Sequence, residues 1–333
     1  MPGFRERRAG VTAVQLKTLL AIVLAAAAGS GLPASGASPD AAGAPAALPL
    51  KTFVTILPQA YFVERIGGPH VEVHVLVGPG QSPHTFDPTP QQMARLSDAR
   101  IFFAAGWPFE TRLLEKAKAV NPNLQVIDTR EGIPLRYMTP AEAEADERAE
   151  QAEGAPAGHA DAGEPDPHFW LNPRYARTQA ATIGKALAAA DPAHAEAFRK
   201  NLAALQEDLG KLDARLREAL APLAGRDFFV YHPAFGYFAD AYGLRQIPVE
   251  IEGKEPTARQ LARLIGRARA EGVRVIFVQP QFSAKSAEAV AAAIGGTVIP
   301  LDDLAKDYTA NLANMAEKVS RSLAADKGAA QKK

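Results

Sequence analysis

The chain contains no cysteine, and this absence removes several functional classes. Thiolate metal sites, cysteine nucleophiles and disulfide scaffolds are excluded, and we expect no lipid anchor on an N-terminal cysteine. An excess of charge is also missing, because 37 basic residues balance 37 acidic ones. The chain therefore gives no indication of a nucleic-acid-binding surface. It also lacks the His-Glu-x-x-His helix of zinc peptidases and the Gly-x-Ser-x-Gly turn of serine hydrolases.

The most prominent apolar run lies near the N-terminus. A cluster of arginines precedes an apolar stretch over residues 18–29, and small residues follow over 35–37. This order is typical of a cleavable secretion signal, and the apolar stretch is too short for a comfortable membrane span. We therefore predict a signal peptide and a protein that is secreted into the periplasm.

Strand and helix patterns alternate along both halves of the chain. Apolar runs such as Phe53–Leu57 and Val273–Val278 are typical of buried strands, and the segments between such runs have the spacing of amphipathic helices. Strands that alternate with helices form parallel sheets. We therefore predict an α/β fold of two lobes, each with a roughly four-stranded parallel sheet and flanking helices.

One long rigid helix is predicted between the lobes. Asp191 is a good N-cap, and Pro192 suits the first helical turn. Apolar residues then recur at steps of four and three: Phe198, Leu202, Leu205, Leu209, Leu212, Leu216 and Leu220. A helix over 192–221 would span ~45 Å. A coiled-coil dimer would produce the same stripe, but such zippers usually carry more heptads with paired charges, so we favour a monomer whose single helix packs across both lobes.

The predicted organisation has six parts. They are a signal peptide (1–37), a flexible tether (38–50), an N-terminal α/β lobe (51–190), a long linking helix (191–222), a C-terminal α/β lobe (223–325) and a disordered tail (326–333). Residues 141–165 of the N-terminal lobe are acidic and have no apolar periodicity, which predicts a surface loop.

Four side chains of metal-ligating type occupy related places in this topology. His84 lies in the loop after the second predicted strand, His232 and Asp302 directly follow strands, and His168 lies between two prolines in the stiff segment Asp166–Pro173. Ligands of open α/β sheets gather beyond the carboxyl ends of the strands. We therefore expect these four side chains to converge in the cleft between the lobes.

Three imidazoles and one carboxylate form a tetrahedral ligand set that suits zinc. Each histidine taken alone is more often structural, and His168 has the alternative of packing on Trp170. The fourth position stays open at this stage, because water or Asp87 could replace Asp302.

Several motifs resemble those of the periplasmic metal-binding proteins of zinc/manganese ABC importers. They are P-Q-A-Y-F-V-E-R-I-G-G at 58–68, P-H-T-F-D-P-T-P at 83–90, D-P-H-F-W-L-N-P at 166–173, Y-H-P-A-F-G-Y-F at 231–238, G-K-E-P-T at 253–257 and V-Q-P-Q-F at 278–282. In order and spacing they extend over nearly all of residues 51–323.

The resemblance implies two α/β lobes joined by one rigid helix, with a metal ion held in the cleft by His84, His168, His232 and Asp302. Manganese-type relatives typically have a carboxylate at the third position, where this chain has His232, so zinc is favoured. Zinc-type relatives often carry a histidine-rich loop before the second ligand. Here His159 is the only histidine of that acidic loop, which argues against an accessory zinc-collecting role.

These observations predict a protein that captures Zn²⁺ with high affinity in the periplasm and delivers it to an inner-membrane ABC permease, without catalysis. The nearest alternative is an importer component for Mn²⁺ or Fe²⁺. A zinc hydrolase with three histidine ligands is a further alternative, in which Glu250, Glu252 or Glu255 would supply a base. Asp302 argues against this alternative, because as the fourth ligand it would occupy the coordination position that a catalytic water needs. A second role as an adhesin or chaperone is compatible with the sequence.

Overall fold

A computed structural model describes residues 48–137, 165–249 and 258–330, apart from residues 271 and 283. The predicted signal peptide, most of the tether and nearly all of the acidic loop lie outside the described residues. The elements of the first half are β1 (Leu50–Val54), α1 (Leu57–Gly67), β2 (Val71–Val75), α2 (Pro90–Leu96), β3 (Ile101–Ala104), α3 (Pro108–Val120), β4 (Gln125–Asp128) and α4 (Pro173–Ala190). A long helix, α5 (Ala195–Leu220), follows. The second half contains β5 (Asp227–Val230), α6 (Gly236–Tyr242), β6 (Arg245–Pro248), α7 (Ala258–Ala270), β7 (Val275–Val278), α8 (Lys285–Ile294), β8 (Thr297–Pro300) and α9 (Tyr308–Ala330).

The strands form two sheets of four, and all strand pairs within them are parallel. The strand order is β2-β1-β3-β4 in the first sheet and β6-β5-β7-β8 in the second. The central strands β3 and β7 are buried along their whole length, as expected of short apolar runs with helices on both faces. The predicted α/β fold with two four-stranded parallel sheets is confirmed.

Helix α5 joins the two halves by packing against both. It contacts α1 and α4 of the first half and α9 of the second. The predicted apolar stripe forms its inner face, since Phe198, Leu205, Leu209 and Leu216 are completely buried. One hydrophobic cluster also runs through both halves. The linking helix is therefore part of a continuous core.

Several element boundaries differ from the predictions. Pro58 does not end a strand over 53–57; it lies in the first turn of α1, a position that needs no backbone N–H, and β1 ends at Val54. The long helix begins with a separate 3₁₀ turn at Pro192–His194. The predicted disordered tail over 326–333 is helical as far as Ala330, because alanine-rich sequence prolongs a helix that is already nucleated. Among the described residues, no helix is sufficiently long and apolar to cross a membrane.

Candidate metal site

His84 is held in a short 3₁₀ turn, Pro83–Thr85, which follows β2. The hydroxyl of Ser82 accepts the backbone N–H of His84 at 3.3 Å and fixes the start of the turn. The imidazole is 9% exposed and packs edge-on against Trp107, with ring centroids 5.0 Å apart. The turn thus directs a nearly buried histidine inward from the carboxyl end of the first sheet.

His168 is the most rigidly held of the three predicted histidines. The carboxylate of Asp166 accepts both its backbone N–H at 2.9 Å and its ring Nδ1 at 2.8 Å. A carboxylate accepts hydrogen bonds, so Nδ1 carries the proton and Nε2 is left with a lone pair. Carboxylates in this relation to a histidine are typical of metal centres, where they fix the tautomer and the ring orientation. His168 also packs near Trp170, with ring centroids 5.4 Å apart. The contact with Trp170 and the hydrogen bonds to Asp166 therefore occur together.

His232 comes from the second half, immediately after β5. Gln279 fixes its backbone from the neighbouring strand, accepting from the His232 N–H at 3.3 Å and donating to its carbonyl at 2.9 Å. The ring stacks on Phe282 at 4.8 Å between centroids. His232 is 2% exposed, and it therefore approaches the other two histidines from the opposite sheet in a desolvated position.

The three histidines form one cluster. Each offers a ring nitrogen, and these nitrogens all lie within 4.8 Å of one another. Nitrogens bound to one tetrahedral zinc ion would be about 3.3 Å apart, given Zn–N bonds of about 2.0 Å. The cluster needs only a small contraction to reach that geometry. Within the described part of the chain, it is the one group of three or more histidine and acidic side chains with such spacing.

The two acidic residues after β8 differ in their surroundings. Asp302 Oδ1 accepts the N–H of Leu304 at 2.9 Å and the amide of Gln281 at 3.2 Å, so it stabilises the turn after β8. Neither carboxylate belongs to the group of closely spaced ligand atoms. Asp303 is 6% exposed, and no described donor reaches its Oδ1. Burial raises the pKa of Asp303 to about 6, although the nearby imidazoles, His232 above all, act in the opposite direction.

Two residues that shape the cluster were not singled out from the sequence. Trp107 packs edge-on against both His84 and His168. The loop that carries it is held by Glu110, whose carboxylate accepts the N–H groups of Ala105 at 2.9 Å and Gly106 at 2.7 Å and the hydroxyl of Thr55. Burial raises the pKa of Glu110. The sequence signals were a tryptophan three residues after a strand, directly before the next helix, and a glutamate in the first turn of that helix.

The remaining histidines lie elsewhere. His70 stacks on His194 with centroids 3.7 Å apart, beside the start of α5. His74 forms a pair with Glu72 on β2, with 3.0 Å between Nε2 and Oε1. His159 lies outside the described residues. The structure therefore separates the three predicted ligands from the other described histidines.

Comparison with known proteins assigns the chain to a family. Residues 53–325 match the family described as "ZnuA: Zinc-uptake complex component A periplasmic". The zinc-binding protein AdcA of Streptococcus pyogenes serotype M3 is 30% identical over 264 residues, which are 77% of this chain and 51% of that protein. The chain thus spans about half the length of this relative. The manganese ABC transporter substrate-binding lipoprotein PsaA of Streptococcus pneumoniae is 30% identical over 244 residues, 69% of this chain and 72% of PsaA.

A solved structure shows the same architecture. The crystal structure of a ZnuA protein superposes with a TM-score of 0.74 at 41% sequence identity, over 82% of this chain and 99% of the other. The similarity therefore includes both lobes and the helix between them.

Proposed function

The chain belongs to the family of periplasmic zinc-uptake complex components, and from that premise we propose that it captures Zn²⁺ for import across the inner membrane. The observation that carries the proposal is the cluster of His84, His168 and His232, whose ring nitrogens lie within 4.8 Å of one another. A soft nitrogen set of this kind favours zinc over the harder manganese ion.

The three imidazoles are the proposed zinc ligands. Asp302 is the proposed fourth, since it follows β8 at the carboxyl end of the second sheet, the side on which His232 follows β5. Protons compete with the metal ion for the imidazole nitrogens, so affinity is high at neutral pH and falls when the histidines are protonated. Burial of all three rings excludes competing water. The ligand set is thus suited to tight but releasable binding.

The proposed partner is the permease of an ABC importer, and the proposed location is the periplasm after removal of residues 1–37. The family description and the relatives that match this chain support both points. We propose a carrier and not an enzyme, because the relatives compared above are named as metal-binding and transport components.

Competitive titration of the purified secreted form with a chromophoric chelator tests the proposal. One zinc ion should bind tightly, with much weaker binding of Mn²⁺ and Fe²⁺. His232→Ala should weaken zinc binding strongly. His70→Ala is the matched control, because His70 is also a ring-stacked histidine but lies outside the cluster.

Two results would contradict the proposal. Zinc binding weaker than micromolar in the unaltered protein would remove the carrier function, and equal losses in both variants would show that the cluster is not the binding site. Turnover of an ester, or hydration of CO₂ by the zinc-loaded protein, would instead support the hydrolase alternative.

A further inference from the structure

A chain of polar contacts leads from His168 to the second half of the molecule. The Asp166 carboxylate accepts the ring Nδ1 of His168 on one oxygen and Nη1 of Arg136, at 3.1 Å, on the other. The same guanidinium donates from Nε to Asp240 at 3.0 Å. The backbone N–H of Arg136 donates to the phenol oxygen of Tyr237 at 2.7 Å. Tyr237 and Asp240 both lie on α6, so Arg136 contacts the orienting carboxylate and the opposite half together.

The ion pairs of Arg136 with Asp166 and with Asp240 differ in strength because they differ in burial. The side chain of Asp166 is completely buried and that of Arg136 is 17% exposed, whereas that of Asp240 is 62% exposed. Removing one partner of a buried ion pair leaves an uncompensated charge, whereas an exposed pair is screened by water and salt. The Asp166 N–H also donates to the Arg136 carbonyl at 2.8 Å, so the two residues are joined through the main chain as well. The Arg136–Asp166 link is therefore the dominant one.

Helix α6 packs directly against the Arg136–Asp166 ion pair. A Cβ atom added at Gly236, the first residue of α6, would lie 2.5 Å from Arg136 Cζ and 2.7 Å from Asp166 Oδ2. A side chain at this position would displace the guanidinium or the carboxylate. The backbone of the second half thus rests directly against the groups that orient His168.

We propose that Arg136 is a positioning residue for zinc, which fixes the His168 ring through Asp166 and makes that fixation depend on the packing of α6. This inference rests on the proposed zinc-binding function. Among the described residues, an Asp166 carboxylate without its guanidinium partner is held only by the hydrogen bonds from His168 itself, so it fixes the ring less firmly, and part of the ordering of the ring then has to occur when zinc binds. Loss of Arg136 therefore lowers zinc affinity, mainly through faster release.

The decisive experiment compares the zinc affinity of the Arg136→Gln variant with that of the Glu64→Gln variant. Glu64 forms an ion pair with Lys306, 2.8 Å between Nζ and Oε1, which also joins the two halves but contacts no residue of the cluster. Removing a group that holds a metal-binding histidine typically costs 10–100-fold in affinity, so Arg136→Gln should weaken zinc binding by about tenfold or more. Glu64→Gln should remain within about twofold of the unaltered protein, as expected for an exposed ion pair.

Two further measurements distinguish a positioning role of Arg136 from a merely structural role. If Arg136 acts through Asp166, then adding Arg136→Gln to Asp166→Asn should produce no further loss of affinity. The absorption bands of bound Co²⁺ should shift in Arg136→Gln and not in Glu64→Gln, since they report the geometry of the ligands. If Arg136→Gln does not fold, Arg136→Lys serves in its place, with a smaller loss expected because it keeps the charge but loses the fork of donors.

The possible outcomes distinguish the positioning role of Arg136 from the zinc-binding function on which it rests. Unaltered protein that binds no zinc would overturn both. Tight zinc binding by Arg136→Gln, or losses from Arg136→Gln and Asp166→Asn that simply add, would overturn the positioning role of Arg136 and leave the carrier function intact.

Discussion

Asp303 should make the metal-free protein less stable as pH rises, and Asp303→Asn should remove that dependence. The native pKa is about 6, against an ordinary value of 3.8. Because the folded state raises the pKa of this acid, it favours the protonated form. Stability is therefore fully present below about pH 3.8 and is lost progressively as pH rises through 6. The pKa difference corresponds to about 3 kcal/mol at neutral pH, as an upper estimate.

The assay is urea unfolding of the metal-free protein, with a chelator present, from pH 4.5 to pH 7.5. Asparagine has nearly the same shape and does not ionise. Asp303→Asn should therefore exceed the unaltered protein in stability by up to about 3 kcal/mol at pH 7.5, and by about 1 kcal/mol at pH 4.5. Asp98→Asn is the control, because Asp98 is 71% exposed and should show no such trend.

The same substitution should have the opposite effect on zinc. A divalent cation bound by His84 and His232 would favour the ionised form of the neighbouring Asp303. Asp303→Asn should therefore stabilise the metal-free protein and weaken zinc binding. A stability difference between Asp303→Asn and the unaltered protein that does not change with pH would refute the reasoning, since it would show that Asp303 is not a buried carboxyl with a raised pKa.

Three further predictions follow from single contacts. Tyr308→Phe removes a hydroxyl that donates at 2.6 Å to a buried backbone carbonyl, and it should lower the free energy of unfolding by about 1–3 kcal/mol in urea titrations. Tyr137→Phe, at a 55% exposed position, should change it by less than about 0.5 kcal/mol. Leu209→Ala in α5 should cost about 2–5 kcal/mol because Leu209 is completely buried, whereas Lys211→Ala on the outer face should cost under about 0.5 kcal/mol. Burial raises the pKa of Tyr237 to about 12, so spectrophotometric titration should show a phenol that ionises near pH 12 and is absent from Tyr237→Phe, while Tyr242 and Tyr308, whose pKa values burial also raises, remain late-ionising in both proteins. The stabilising contribution of Tyr237 should be lost as pH rises from about 10 to 12.

Much of the fold was predictable because its signals are local. Short apolar runs, separated by amphipathic segments with proline and glycine at their ends, indicate parallel strands and helices without knowledge of distant residues. The stripe of leucines in α5 likewise predicted a helix buried on one face. The misread boundary at Pro58 has the same origin, since proline disfavours a strand interior and suits a helix start equally well.

The convergence of the three histidines was predictable from their places in the topology, whereas the position of the predicted fourth ligand, Asp302, was not. Ligands of open α/β sheets gather beyond the carboxyl ends of the strands, so His84 after a strand of the first sheet and His232 after a strand of the second were both expected in the cleft between the lobes. Asp166, two residues before His168, forms a local turn that the motif itself suggests. Asp303 was overlooked because two adjacent acids after a strand look alike in sequence, and only packing decides which of them is buried.

The amino-acid sequence by itself determined the types of element and the parallel character of the two sheets, and it marked three histidines as candidate ligands, because each of these depends on residue type and short-range spacing. Only the tertiary structure decided which groups surround those histidines. Arg136 reaches Asp240 across 104 residues of chain, and Trp170 donates its indole N–H to the carbonyl of Asp303 across 133. Contacts of this range arise when two sheets pack against one helix, and no local pattern records them.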